Sequence, residues 1–216
     1  MKILSILLGA LMLATNAVAS DLTEIQDATT RLNTYQKDTL VSLCSAEFIA
    51  PDMVITGAHC AMNADNFTVG FPVKEYPLVP VEINADSDIM ILYSPEYKSE
   101  HYVTISPTFP KSSLEEVVAV CYFGEENTQR LMMGLITGEG LVQLEESSDK
   151  TKSTIIRSIG TTIHIEEGCS GGGLYREISP NNYGLISVAS GYDNEGSYFT
   201  YPDYLYATLA LTQDKM

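Results

Sequence analysis

The sequence predicts an all-β fold, on three observations. Short runs rich in Val, Ile, Thr, Tyr and Phe recur from Thr39 onward, separated by Gly, Pro, Asn and Asp. Runs of this length and spacing favour a barrel or sandwich over alternating strands and helices. A stretch with two prolines and four serines, Lys98 to Ser113, divides the runs into two sets.

The first element is an export leader. Lys2 supplies a positive start, Ile3 to Ala14 an apolar stretch too short to span a bilayer comfortably, and Ala17-Val18-Ala19 a small-x-small cleavage site. Residues 1–19 are therefore read as a signal peptide and Ser20 as the mature N-terminus. No later stretch is apolar enough to span a membrane, and no Cys follows the apolar stretch for lipid attachment. Of 216 residues about 197 remain, enough for one large core or two small ones.

Residues 20–38 are polar with loosely spaced apolar positions. They read as a short helix, an extended arm or a pro-segment. The first set of strands, 39–97, includes Leu40 to Leu43, Met53 to Thr56, Phe67 to Phe71 and Ile89 to Tyr93. Residues 98–113 form the linker. The second set, 114–202, includes Val117 to Phe123, Leu131 to Thr137, Thr154 to Ile159, Leu185 to Ala189 and Tyr198 to Tyr201. Residues 203–216 close the chain.

Twenty-eight acidic residues against 12 basic ones give a formal net charge of −16. That balance excludes nucleic acid and anionic membrane surfaces as partners, because both demand a positive footprint. The acid is spread in pairs, Glu115-Glu116, Glu125-Glu126, Glu145-Glu146 and Glu166-Glu167, and the first three pairs read as a solubilising surface. All four cysteines lie beyond the leader, and an even count in an exported chain implies two disulfides. The three histidines and scattered acids offer no metal-ligand spacing, so neither a metal nor a cofactor is expected. His101 falls in the linker and reads as solvated.

Two strings carry the chemistry: Thr56-Gly57-Ala58-His59-Cys60 and Gly168-Cys169-Ser170-Gly171-Gly172. A serine hydroxyl is not ionised at neutral pH and needs a base to take its proton. His59 can be that base. Ser170, in a turn of glycines that presents backbone N–H groups to a reacting carbonyl, can be that nucleophile. Between them, Ser87-Asp88-Ile89-Met90-Ile91-Leu92 leads an acid into an apolar run. Asp88 is the carboxylate that would orient His59. Asp86, two residues earlier on the same side of a strand, is its rival, and Cys169 is the rival nucleophile.

With these strings in the order His, Asp, Ser, the chain resembles the chymotrypsin/trypsin-like serine endopeptidases. That family carries T-A-A-H-C, D-I-A-L-L and G-D-S-G-G-P at these places. The resemblance runs roughly from Val41 to Leu209. It implies two six-stranded antiparallel β-barrels with the site in the cleft between them, and a C-terminal helix over Asp203 to Gln213. It implies His59, Asp88 and Ser170 as the triad, and the N–H groups of Gly168 and Ser170 as the oxyanion hole. It also implies a Cys44–Cys60 disulfide, which leaves Cys121 and Cys169 for the second. Protein or peptide substrates and inhibitor proteins are the partners it implies.

Two departures stand out: Cys169 replaces the family's Asp, and Gly173 its Pro. In many members that Asp pairs with a newly cut N-terminal amine, yet the Ile-Val-Gly-Gly start this needs is missing as well. A Cys121–Cys169 disulfide would hold the turn instead. By matching position, His164 would lie at the base of the specificity pocket, with Ser190 and Gly191 on its wall. The function expected is an exported serine endopeptidase, secreted or periplasmic. The alternatives are a catalytically inactive relative acting as a secreted binding module, and an esterase or acyltransferase using the same triad.

Overall fold

The computed structural model describes residues 21–70, 74–108, 113–124, 128–146 and 149–213. The leader, Ser20 and Glu125-Glu126 lie outside them. The chain folds into two six-stranded antiparallel β-barrels and a C-terminal helix.

Helix α1, Leu22–Ala28, opens the described chain. Asp21 caps it by accepting from the N–H groups of Thr23 and Glu24 at 2.8 and 2.9 Å. Glu24 accepts the Asp21 N–H in return, which completes a capping box. The first barrel comprises β1 (Thr29–Gln36), β2 (Thr39–Ala50), β3 (Met53–Thr56), β4 (Asn66–Gly70), β5 (Glu75–Asn84) and β6 (Ile89–Tyr93). It closes in the order β1-β2-β3-β6-β5-β4, with β4 returning to β1. The barrel thus takes in a strand from Thr29, inside the stretch expected as a short helix, an arm or a pro-segment and before the boundary expected at about 39. Sequence periodicity missed β1 because its buried positions are mostly polar: Thr29, Thr30, Asn33 and Thr34 are buried alongside Leu32.

The second barrel comprises β7 (Glu116–Phe123), β8 (Thr128–Glu146), β9 (Asp149–Thr161), β10 (Gly173–Ser179), β11 (Asn182–Tyr192) and β12 (Ser197–Thr200). It closes in the order β10-β11-β12-β9-β8-β7, and β10 pairs with β7 to complete the ring. Between the barrels the chain is pinned to both. Val103 N–H donates to the Phe48 carbonyl at 2.8 Å, and Ile105 bridges to Leu185. Helix α2, Pro202–Gln213, follows β12.

The strands run as continuous apolar segments because both of their faces are covered. Successive side chains alternate between faces. On β3 and β6, Val54, Met90 and Leu92 fill the first barrel, while Met53, Ile55, Ile89 and Ile91 face the second. On β7, Val117, Ala119 and Cys121 fill the second barrel, while Val118 and Val120 face the first. This shared seam also takes in Ile25 of α1 and Leu205 of α2. An apolar seam of this kind holds the two barrels in one register, and the cleft beside it is where the sequence motifs meet.

Candidate active site

His59 sits in a 3-10 turn, Ala58–Ala61, directly after β3. The neighbouring Cys60 is bonded to Cys44 of β2, with their Cα atoms 6.3 Å apart. Closing a loop of this size contributes on the order of 3 kcal/mol, and here it ties the histidine's turn to the barrel wall.

Asp88 ends the turn before β6. It is buried, and its φ of 53° lies in the left-handed region that L-residues seldom occupy. Asp88 Oδ1 accepts from the His59 backbone N–H at 2.8 Å, and both carboxylate oxygens lie 2.9 Å from His59 Nδ1. A carboxylate only accepts, so Nδ1 carries the proton and Nε2 keeps its lone pair. Burial pulls the imidazole pKa down, but the charge and hydrogen bond of Asp88 outweigh it, and the net shift is upward. Asp86, the rival acid, is exposed.

Ser170 lies in the loop between β9 and β10. Gly168 and Gly171 flank it with φ of 92° and 78°. A Cβ on Gly171 would fall 2.8 Å from Gly57 N, so only glycine lets this loop close on the strand end that precedes His59. The loop is held on every side. Ser45 N–H donates to the Ser170 carbonyl at 2.7 Å, and Gly171 N–H donates to the Ala189 carbonyl at 2.8 Å. Cys169 is bonded to Cys121 of β7, so the rival thiol is consumed in a disulfide. Among the described residues no hydrogen bond joins Ser170 to His59. In ligand-free sites such bonds are often long and tighten when substrate is bound.

The peptide planes before Ser170 are set by two further contacts. Gly124 N–H donates to the Glu167 carbonyl at 2.8 Å. In a trans peptide the N–H points opposite to the carbonyl, so the Gly168 N–H is turned away from Gly124. Ser45 Oγ accepts from Tyr122 N–H at 2.8 Å and donates to the Gly168 carbonyl at 2.8 Å. One serine of the first barrel thereby grips both ends of the Ser170 turn, through its N–H and its hydroxyl. Ser45 was not singled out from the sequence, since a serine in a strand carries no local signal.

A cavity of about 420 Å³ opens beside Ser170 and Gly168. Leu40 to Leu43 of β2 form one side, and Glu167 and Tyr192 border it elsewhere. His164 is not brought there. It is exposed, between Ile163 and Ile165, which are buried in the second barrel's core. Alternation along an extended chain sends a residue between two core residues outward, which turns His164 to solvent instead of into the cavity beside Ser170. Ser190 is buried, and Gly191 pairs with Tyr198 in the β11–β12 ladder. Neither lines this cavity, whereas the next residue, Tyr192, does.

A two-barrel fold with this turn of glycines defines a class, the chymotrypsin-like serine protease fold. No family model matches the chain, and no curated protein matches it. Solved structures do. The active form of the Rv3671c protease from M. tuberculosis superposes with a TM-score of 0.73 at 17% identity, covering 88% of this chain and 82% of that one. The inactive form of that protease gives 0.67 at 18% identity, covering 88% and 91%. The HtrA-type protease AlgW with a tripeptide gives 0.67 at 22% identity, covering 89% and 61%. At these identities the likeness is one of fold.

Proposed function

We propose that the chain is an exported serine endopeptidase. The observation that carries this reading is the doubly held His59. Its Nδ1 is fixed on buried Asp88, which leaves Nε2 with its lone pair, and the loop that carries Ser170 closes through Gly171 on Gly57, two residues before His59. In the proposed reaction Ser170 Oγ attacks a peptide carbonyl and His59 takes its proton. Asp88 stabilises the imidazolium, and the N–H groups of Gly168 and Ser170 receive the oxyanion. His59 then returns the proton to the leaving amine. Water, activated by the same base, releases the acyl group.

Fold likeness to solved proteases and the two disulfides support a peptide substrate and an oxidising compartment. The Cys121–Cys169 disulfide would hold the turn that other members secure with a newly cut N-terminus. Activation would then require oxidation rather than cleavage.

The test uses the mature chain, folded under oxidising conditions, against a denatured protein mixture, with Ser170→Ala in parallel. New termini are read by mass spectrometry, and Ser170 is labelled with a fluorophosphonate. Cuts and label present only with Ser170 are expected. A chain that neither cuts nor labels is the inactive binding module instead. Labelling with ester turnover and no peptide cleavage would favour the esterase.

A further inference from the structure

Glu47 of β2 is completely buried where the two barrels meet. Its Oε1 lies 2.6 Å from the Gly173 N–H, and its Oε2 lies 2.6 Å from Tyr175 OH. Both partners belong to β10 of the opposite barrel. Glu47 Oε2 also lies 2.7 Å from Thr29 Oγ1, at the start of β1. Thr29 Oγ1 in turn lies 2.7 Å from the Ile25 carbonyl in α1.

Counting hydrogens decides the protonation state of this group. Four contacts, all of hydrogen-bond length, need four hydrogens. With an ionised Glu47 the partners supply three: the Gly173 N–H, the Tyr175 hydroxyl and the single Thr29 hydroxyl. Thr29 has one hydrogen, enough for one full two-centre bond, to Ile25 or to Glu47. A hydrogen on Glu47 Oε2 completes the set. Thr29 donates to the Ile25 carbonyl, Glu47 Oε2 donates to Thr29 Oγ1 and accepts from Tyr175, and Oε1 accepts from Gly173.

We propose that Glu47 is a neutral carboxylic acid that positions the segment leaving Ser170, by holding the Gly173 N–H and Tyr175 against the first barrel. Gly173 stands three residues after the nucleophile, where the resembled family has proline. Proline has no N–H to give, so this departure and the buried acid explain each other. The positioning role rests on the protease reading, whereas the protonation state does not.

The surroundings favour the neutral form. Burial pushes the carboxyl up to about 8, against the opposing hydrogen bonds donated by Tyr175 and Gly173. The titratable groups that act with Glu47 are Tyr175 on β10 and Tyr122 on β7, and Asp27 on α1 acts on Tyr122 in turn. None is a cation, and no basic side chain hydrogen-bonds Glu47 among the described residues. Between about 4.5, the ordinary value, and about 8, the folded chain keeps a proton that the unfolded chain has released. Stability from this group is therefore full below that window, falls as pH rises through it and levels off above it.

The experiment compares the full chain with its Glu47→Gln and Glu47→Ala variants, from about pH 5 to about pH 9. Infrared difference spectra, thermal midpoints and the rate of fluorophosphonate labelling of Ser170 are recorded. We expect a protonated-carboxyl band at neutral pH that Glu47→Gln abolishes. We expect the fall in Tm with rising pH to be flatter in Glu47→Gln, whose amide mimics the neutral acid. Labelling should be near wild type in Glu47→Gln and slower on the order of 10-fold or more in Glu47→Ala, as a displaced nucleophile would require. If Glu47→Ala does not fold, the Gln variant and the infrared band decide. No such band, or a Glu47→Gln profile parallel to wild type at every pH, overturns the proposal. Equal labelling in all three forms overturns the positioning role. A wild-type chain that shows the band yet neither labels nor cleaves defeats the protease reading and with it the positioning role, while the proton assignment stands.

Discussion

Asp88 holds His59 by two different parts of the same residue: the backbone N–H at 2.8 Å and the ring Nδ1 at 2.9 Å. The first contact fixes where the imidazole is rooted. The second fixes its tautomer and its plane. Asp88→Asn offers an amide that can satisfy the geometry with the wrong tautomer. In the proposed mechanism kcat falls by about 10⁴ with little change in fold, read by steady-state kinetics and circular dichroism.

The acid limb of activity follows from the same pair. His59 acts as a base only when unprotonated, and its pKa is raised by Asp88 over the lowering effect of burial. The kcat/KM profile should therefore rise with pH through a midpoint above about 6.5, the ordinary imidazole value. In Asp88→Asn the raising influence is gone and burial remains, so the limb moves to lower pH. A limb unchanged between the two forms would assign it to another group.

Ser45 predicts a separation of kinetic constants. Removing its hydroxyl frees the Gly168 carbonyl and leaves the Tyr122 N–H without its acceptor. Ser45→Ala should lower kcat by up to about 10², within the range for losing one oxyanion donor, while KM stays nearly constant. Ser45→Thr, which keeps the hydroxyl, should recover most of the loss. Equal effects on kcat and on global stability in both variants would reduce Ser45 to a packing residue.

The Cys121–Cys169 bond spans 48 residues and anchors the residue next to Ser170. Replacing both cysteines by alanine should cost about 4 kcal/mol of stability, from denaturant unfolding. It should also slow turnover under conditions where the protein remains folded. A folded, fully active double variant would show that the turn keeps its shape without the bond.

Truncation tests the role of β1 in closing the first barrel. β1 pairs with both β2 and β4, and Leu32 and Thr34 are fully buried. A chain starting at Thr39 loses the strand that closes the ring and exposes two edges. It should fail to give a cooperative thermal transition. A stable, active truncated chain would restore the pro-segment reading of residues 20–38.

Much of the site was legible in the sequence because its signals are local. A histidine before a cysteine, an acid before an apolar run and a serine before glycines each need particular neighbours. The strands β3, β6 and β7 were equally legible, since strands covered on both faces become unbroken apolar runs. β1 was not, because polar side chains fill its buried positions. His164 was assigned by counting back from Ser170, and counting does not report on which side of an extended chain a residue falls.

The sequence by itself determined the all-β class, the order of the three candidate groups His59, Asp88 and Ser170, and the supply of four cysteines for two bonds. These depend on spacing along the chain and on the chemistry of single side chains. Only the tertiary structure decided how Asp88 meets His59, that Ser45 grips the Ser170 turn, and that Glu47 needs a proton. Glu47 stands 126 residues from the Gly173 it contacts. Its state depends on how many hydrogens the surrounding groups can supply once water is excluded. That count exists only when two barrels close over one carboxyl group.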